Sequence, residues 1–358
     1  MSTPTIPAGN LFMNATLWTG DGTSSRAITN GASGQTFQPD LVWSKVRNNT
    51  YGHMWFDSVR GAGGNKELGS NSTGAEGYAS SSVYGYTSSF NSNGFTVTAG
   101  TDGSIPNAYT NQSSLNYVAW QWKAGGTAVS NTSGSITSSV SANTTSGFSV
   151  VTYTLNNSTF TVGHGLGVAP QLIMVKDRDT TNNWDVYHVS VGAGSRIVLN
   201  AAAVPDTSSQ VWNNTAPTST VFSGNSAWWS NPSTSKMVAY CWAPVAGYSQ
   251  FGSYTGNGST DGPFIYTGFR PRWVFVKGVT SGGAGDWQQI DTSQNPYNAA
   301  SYNLFFNDSR AGGALGFIAD VNSNGFKIRD SDGFSNNSGS TYIYAAFAEN
   351  PFKYANAR

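Results

Sequence analysis

One heptapeptide pattern occurs three times in this chain of 358 residues. Residues 39–45, 170–176 and 271–277 each begin with Pro, end with Lys and carry an apolar, β-rich run between them. Pro is tolerated at the first residue of a strand because its missing N–H is not needed by the hydrogen-bond ladder there. The pattern therefore predicts three buried strands, each with the Lys emerging at its end. Such self-similarity predicts one small unit built three times.

Further landmarks accompany the heptapeptide in a constant order. A Gly-rich or Asn-rich turn precedes it, an aromatic strand follows the Lys, and an apolar strand closes the unit. The turns are residues 19–22, 154–157 and 255–258, of which the second is degenerate; the aromatic strands are residues 55–57, 184–188 and 287–291; the closing strands are residues 117–122, 237–242 and 343–348. The outer copies also share Asn-Ser-Asn-Gly-Phe, at residues 91–95 and 322–326, and Asn-Gly between strands predicts a tight hairpin.

The spacing of the copies places the unit boundaries. The repeat prolines Pro39 and Pro170 are further apart in sequence than Pro170 and Pro271. The additional residues fall in a stretch with few bulky side chains. We interpret that stretch, residues 125–146, as a Gly/Ser/Thr-rich linker. The predicted units are residues 1–124, including a short N-terminal segment, residues 147–246 and residues 247–358. Units of about 100 residues with about seven short strands fit β-sandwiches. We therefore predict an all-β chain of three tandem β-sandwich units, jelly-roll or lectin-like.

Composition excludes several classes of function. Charged residues make up 10% of the chain, and the 18 basic and 18 acidic side chains cancel, whereas ordinary globular proteins are about 25% charged. A nucleic-acid binder needs a basic face to neutralise phosphates, and no run of Lys or Arg supplies one. Aromatic residues reach 13%, with 12 Trp, which is ample material for several small cores. We expect no nucleic-acid partner.

The single cysteine and the absence of long apolar runs set further limits. Cys241 is the only cysteine, so no intrachain disulfide can form, and its apolar neighbours favour a buried structural thiol over a nucleophile. No stretch approaches the roughly 20 apolar residues of a membrane helix, so we expect no membrane insertion. The N-terminal sequence lacks the basic and apolar regions of a secretory signal, which predicts a product made in a cytoplasm.

Several segments resemble a β-rich domain that recurs in tail and fibre virion proteins of tailed bacteriophages, notably marine ones. The similar segments are residues 55–63, 117–126, 254–258, 268–277 and 342–354. They cover the first and third copies well and the second copy poorly. The resemblance implies a structural virion protein of the tail or tail fibre, made in the host cytoplasm, that contacts the host surface. Two alternatives are a decoration protein on the capsid exterior and a glycan-cleaving tailspike.

Candidate catalytic and metal-binding residues are few. Glycan hydrolysis requires two carboxylates at a set separation. Asp57 and Asp291 recur at matching positions, but the second copy carries His188 there, which suits a polar strand end better than a catalyst. We predict no catalytic residue, no enzymatic activity and no cofactor. We also predict no metal site. The best candidate is a calcium loop at Asp320, Asn322 and Asn324, but Ser331 stands where such a loop ends in Glu, and a hairpin turn explains the shared pentapeptide without any ion.

Glycan binding is the main functional interpretation of the aromatic residues in loop-like stretches. Lectin sites present an exposed aromatic ring to a sugar face, with Asn, Asp and Gly around it. Trp228 and Trp229, flanked by asparagines in a loop-like stretch, form one candidate pair. Tyr84 and Tyr86, with Tyr78 nearby, form another. The alternative is that these rings fill cores or contacts between subunits.

The low charge also bears on assembly. A net charge near zero gives little colloidal repulsion, and sheet edges are normally guarded by charges or covered. We therefore expect neighbouring subunits to cover much of the surface. The predicted partners are other virion proteins and further copies of the chain, with a trimer favoured, and a host surface glycan.

Overall fold

The structure, a computed structural model, describes residues 11–31, 36–156, 158–207, 210–229, 234–280 and 285–349. Its regular secondary structure consists almost entirely of antiparallel strands, and the described residues include two helices of four residues each. The all-β prediction is therefore confirmed. Aromatic and β-branched runs separated by Gly and Asn turns are typical of this class.

The first unit contains two packed sheets. The larger has the strand order β1-β7-β3-β4 and the smaller the order β2-β6-β5. Its elements are β1 (Met13–Thr19), β2 (Ser25–Thr29), β3 (Leu41–Val46), β4 (Met54–Asp57), α1 (Ser81–Tyr84), β5 (Tyr86–Asn91), β6 (Gly94–Thr98) and β7 (Asn116–Trp122).

The second unit begins earlier than the sequence predicts. Its elements are β8 (Val129–Asn131), β9 (Ser138–Asn143), β10 (Phe148–Thr154), β11 (Thr159–Gly163), β12 (Leu172–Asp177), β13 (Trp184–His188), β14 (Ile197–Val198), β15 (Val221–Asn225), α2 (Ser226–Trp229) and β16 (Lys236–Trp242). Strands β8 and β9 extend the large sheet, whose order is β14-β13-β12-β16-β10-β9-β8, and β11 pairs with β15. Residues 125–146 are therefore not a linker, because Ser and Thr fill a half-exposed sheet edge as readily as a flexible connection.

The third unit joins its two layers into one eight-stranded sheet. The order is β17-β24-β19-β20-β21-β22-β23-β18, and β21 pairs with both β20 and β22. The strands are β17 (Ser249–Thr255), β18 (Phe264–Tyr266), β19 (Pro271–Gly278), β20 (Gln288–Asp291), β21 (Ala300–Phe305), β22 (Gly313–Asn322), β23 (Gly325–Ile328) and β24 (Thr341–Ala348).

The Pro-to-Lys segments form equivalent strands, as predicted. Each lies between the closing strand and the aromatic strand of its own unit, in the sheets β7-β3-β4, β16-β12-β13 and β24-β19-β20. The registers also correspond: Trp43 pairs with Trp120, Met174 with Tyr240, and Phe275 with Ala345. The order of landmarks along the sequence thus reflects one sheet built three times.

Both faces of the three Pro-to-Lys strands, β3, β12 and β19, are buried. Along β3, Leu41 and Trp43 point into a core shared by all three units, here called the central core, whereas Val42 points into the first unit's own core. Side chains alternate between the two faces of a strand, so the continuous apolar run covers both cores. Val42, Ile173 and Val274 are at most 1% exposed, which confirms the prediction that they are core residues.

Aromatic rings of different units meet in the central core. Trp55 packs on Trp184 and Tyr240 with ring centroids 5.0 and 4.9 Å apart. Trp122 lies 5.8 Å from Trp242 and 5.7 Å from Phe347. Because each ring buries about 150–250 Å², this shared cluster joins the three sandwiches into one body. Cys241 is also fully buried, and burial raises its pKa, which agrees with a structural thiol.

The recurring opening turn has a local structural cause. In the first unit, buried Asn111 donates from Nδ2 to Asp21 Oδ1 at 2.7 Å, and in the third unit Asn336 donates to Asn257 Oδ1 at 3.1 Å. A Cβ on Gly20 would lie 2.0 Å from the carbonyl oxygen of Gln112. The motif therefore holds the turn against the loop that leads into the closing strand.

Candidate functional site

The repeated strand-end residues Asp57, His188 and Asp291 connect the units in a cycle. Tyr240 Oη donates to Asp57 Oδ2 at 2.7 Å, His188 Nε2 lies 3.1 Å from the carbonyl oxygen of Tyr344, and Trp120 Nε1 donates to Asp291 Oδ2 at 3.0 Å. The first contact joins units one and two, the second joins two and three, and the third joins three and one. All three side chains are buried, so their polar groups bind protein instead of facing a substrate.

His188 acts as a neutral hydrogen-bond donor. Burial lowers its pKa to about 4. The backbone N–H of Ser190 donates to Nδ1, which leaves the ring proton on Nε2 for the Tyr344 carbonyl. This explains how a histidine can replace the aspartates at the equivalent position. The other units place a side-chain donor, Trp120 or Tyr240, where the third unit has Ala345. Because Ala345 has no side-chain donor, the partner of His188 is a backbone carbonyl, which needs a donor and not a carboxylate.

A second cycle of contacts runs in the opposite direction. It uses the residues four positions earlier: His53, Trp184 and Trp287. His53 Nε2 lies 2.8 Å from the carbonyl oxygen of Phe305, while the indole N–H groups of Trp184 and Trp287 donate to the carbonyls of Gly69 and Val198 at 2.8 and 2.9 Å. The two cycles give the body an approximate threefold symmetry.

The three repeat lysines are buried, contrary to the expectation that they emerge from their strands. Lys45, Lys176 and Lys277 are at most 1% exposed. Their ammonium groups donate to backbone carbonyls, including Val46, Asp177 and, from the second unit, Ala202. Side chains alternate between the two faces of a strand, and each lysine lies on the face that points toward the neighbouring unit. Its hydrogen bonds to carbonyl groups replace the hydrogen bonds to water that burial removes.

These lysines predict a stability that rises with pH. Burial lowers the pKa of Lys45 to about 7 and those of Lys176 and Lys277 to about 8, whereas an unfolded lysine titrates near 10.4. Between about pH 7 and pH 9.5 the unfolded chain binds more protons, so the free energy of unfolding should increase, at up to about 1.4 kcal/mol per pH unit for each lysine. Denaturant titrations at pH 7.0, 8.0 and 9.0 measure this slope.

Lys45→Met should reduce the slope, because it removes one of the three buried ammonium groups. Stability that stays level or falls between pH 7 and pH 9 in the unmodified chain would contradict the burial of these ammonium groups.

The tryptophan pair does not form an exposed platform. Trp229 is 2% exposed and packs on Tyr153, Phe160 and Trp212 in the second unit's own core. It cannot stack on a sugar from solvent, because its apolar surface fills the space between the two sheets. Trp228 lies in α2, but its side chain falls outside the described part of the structure.

Tyr84 and Tyr78, by contrast, line one cleft. Two further tyrosines, Tyr51 and Tyr109, which the sequence did not single out, line it with them. This tyrosine cleft has a volume of about 510 Å³ and is formed by residues of the first unit, with Ser309 contributed by the third unit. Tyr109 packs edge-on against Tyr51 and Tyr84, with ring centroids 5.8 and 5.6 Å apart. Tyr78 is 66% exposed at the rim.

Local backbone geometry positions these rings. A Cβ on Gly74 would lie 2.0 Å from Cγ of Tyr78, so only glycine allows the Tyr78 ring to lie against that turn. Gly85, with φ of 107°, separates Tyr84 from Tyr86. Tyr86 begins β5 and pairs with Thr98; it does not line the cleft.

The cleft offers hydrogen-bonding groups that the protein leaves free. Within the described chain, the hydroxyls of Tyr51, Tyr78, Tyr84 and Tyr109 accept and donate no hydrogen bond. Asn71 Oδ1 accepts from the backbone N–H of His53 at 2.9 Å, while its Nδ2 has no partner among those residues. No Asp or Glu lines the cleft. It is therefore a neutral, aromatic surface with spare hydroxyl and amide groups.

The calcium candidate forms an ordinary hairpin. Asn322 pairs with Gly325 across the turn between β22 and β23. Asp320 forms an ion pair with Arg329 at 3.0 Å, and the carbonyl of Asn324 accepts from the backbone N–H groups of Thr267 and Gly268. In the described ranges, no three His, Cys, Asp or Glu side chains gather as metal ligands.

Neither short helix described has the length or apolar character to cross a bilayer.

Comparison with known proteins supports one assignment. Searches of curated proteins and of solved structures found no significant match. A family model described as a domain of unknown function, DUF7483, matches residues 8–351. Because this match spans all three units and both cycles of contacts between them, the chain belongs to the DUF7483 family.

Proposed function

We propose that this chain is a non-enzymatic structural protein of a phage virion, in the tail or tail fibre, that binds a neutral surface glycan through the tyrosine cleft. The cleft is the observation that carries the binding role. Its volume of about 510 Å³ suits a small ligand, since such sites usually measure about 300–1,000 Å³. The virion context comes from the sequence resemblance of the first and third units.

The chemistry of the cleft supports a sugar ligand. A pyranose has an apolar face of C–H groups and a rim of hydroxyls. Tyrosine matches both, because its ring is apolar and its hydroxyl is polar. Four rings with unpaired hydroxyls, together with Asn71 Nδ2, provide contacts for each part. The lack of a charged group in the lining favours a neutral sugar.

Hydrolysis at this cleft is not part of the proposal. A glycosidase needs two carboxyl groups roughly 5–9.5 Å apart across the scissile bond, and none lines the cleft. The repeated carboxylates Asp57 and Asp291 are buried in contacts between units. These features support binding without cleavage.

The proposed setting also includes other virion proteins and further copies of the chain, with a trimer favoured. A chain with so few charges is expected to have much of its sheet surface covered. The three units already cover part of it, because the inner faces of their large sheets pack on one another. The outer sheet edges, such as β18, stay available to neighbours.

Tyr78→Ala should weaken binding to a neutral glycan by about tenfold, since a well-placed aromatic contact contributes more than about 1 kcal/mol. Tyr78 is mostly exposed, so its removal should leave the thermal unfolding midpoint unchanged. Arrays of neutral bacterial-surface polysaccharides would identify the ligand, and calorimetric titration would measure its affinity.

Tyr297→Ala provides the matched control, because Tyr297 is 83% exposed and belongs to the third unit. Equal losses in the two variants, or no neutral glycan bound by the unmodified protein, would refute the proposal. Release of reducing ends from a bound polysaccharide would refute the non-enzymatic part.

A further inference from the structure

A second cleft, of about 420 Å³, lies on the large sheet of the second unit. Strands β8 and β9 form one wall, which is the segment that the sequence suggested to be a linker. Ser130, Ser139 and Thr152 stand directly opposite one another on three adjacent strands, so their side chains share one face. Thr154 and Lys236 form the next pair along the sheet.

Two cationic residues, Arg178 and Lys236, line this cleft. The backbone N–H of Arg178 donates to the carbonyl of Lys236 at 2.9 Å, so the two residues face each other across neighbouring strands. Like charges in this position repel each other. Glu76 of the first unit accepts from Arg178 Nε at 2.6 Å and also binds Arg60 and Lys66. Asp179 accepts from the backbone N–H of Lys236 at 2.8 Å, but within the described residues no carboxylate pairs with the ammonium group of Lys236.

The donors that face the cleft have no protein partner. Within the described chain, the two terminal guanidinium nitrogens of Arg178 and the ammonium group of Lys236 form no hydrogen bond. The hydroxyls of Ser130, Ser139, Thr152 and Thr154 are likewise unpaired there. No carboxylate lines the cleft. Converging cationic and hydroxyl donors are the groups that bind an oxyanion, and the guanidinium geometry matches its paired oxygens.

We propose that this cleft is an oxyanion-binding site, which takes a phosphate, sulfate or carboxylate group. An anion placed between Arg178 and Lys236 relieves their repulsion and accepts hydrogen bonds from the hydroxyl row. The site is separate from the tyrosine cleft in position and in chemistry, so it does not depend on the glycan proposal. It lies where the second unit meets Glu76 of the first.

The test is a calorimetric titration of the full chain with inorganic phosphate, sulfate and glucuronate, with glucose as the neutral comparison. We expect saturable binding of the anions and none of glucose through this cleft. Lys236→Gln should weaken anion binding by about tenfold, as removal of a charge-assisted hydrogen bond does. Because Lys236 is exposed, this variant should fold normally, and an unchanged unfolding midpoint confirms it.

Arg329→Gln, at a half-exposed cation of the third unit, is the matched control and should bind anions normally. Comparison of free phosphate with an acidic oligosaccharide separates two sources of the anion: tighter binding of the oligosaccharide assigns the site to an acidic glycan, and equal binding assigns it to a free ion. Both outcomes support the site. Absence of saturable anion binding, or full affinity in Lys236→Gln, would overturn it.

Discussion

Val274→Asp should unfold the whole chain and not only the third unit. Val274 is 1% exposed and lies on β19 between Ile290 and Ala346 of the adjacent strands. A buried carboxylate without a partner costs several kcal/mol, against a total stability of about 5–15 kcal/mol for a typical domain. Strand β19 also supplies Trp273 and Phe275 to the central core. Its loss therefore removes part of the surface on which the first and second units pack.

Circular dichroism and the tryptophan emission of the soluble fraction would report this loss. Val168→Asp is the matched control, because Val168 is 53% exposed, and it should unfold like the unmodified chain. A soluble Val274→Asp protein in which the first two units keep their native emission would show that the units are independent.

Trp120→Ala should destabilise the protein by about 3–5 kcal/mol, the usual cost of removing a buried tryptophan. Trp120 is fully buried and lies 5.3 Å from Trp43 and 6.1 Å from Trp273 of the third unit. The substitution also removes the N–H that donates to Asp291. Urea unfolding with a constant m-value would measure the loss.

Trp120→Phe retains most of the ring and removes the indole donor, so it should cost less. A double-mutant cycle with Asp291→Asn isolates the contact between the units, for which we expect a coupling of about 0.5–3 kcal/mol. A coupling of zero would mean that this contact does not hold the first and third units together.

The repeat allowed most of the strand architecture to be predicted. Pro, apolar run and Lys recur at fixed offsets, and the equivalent strands β3, β12 and β19 lie where the pattern places them. The core positions Val42, Ile173 and Val274 followed from the same runs. Continuous apolar runs bury both faces of a strand, but they do not reveal which neighbour covers each face, so the central core was not foreseen.

Features that depend on distant contacts escaped prediction. The buried lysines resemble strand-end charges until the carbonyls of other loops and units are in place. Tyr51 and Tyr109 join Tyr84 only through folding, and no local spacing marks them. Trp229 and Tyr78 are both aromatic residues in loop-like sequence, yet one is core and the other exposed. Strand β9 pairs with the open edge of β10, and β8 pairs in turn with β9.

Differential scanning calorimetry of the intact chain tests most directly whether the three units form one body around a shared core. The two cycles of contacts and the central aromatic cluster predict a single cooperative transition, with a calorimetric enthalpy equal to the van't Hoff enthalpy. Two or three resolved transitions, or a calorimetric enthalpy two to three times the van't Hoff value, would show that the sandwiches unfold separately and would contradict the shared core.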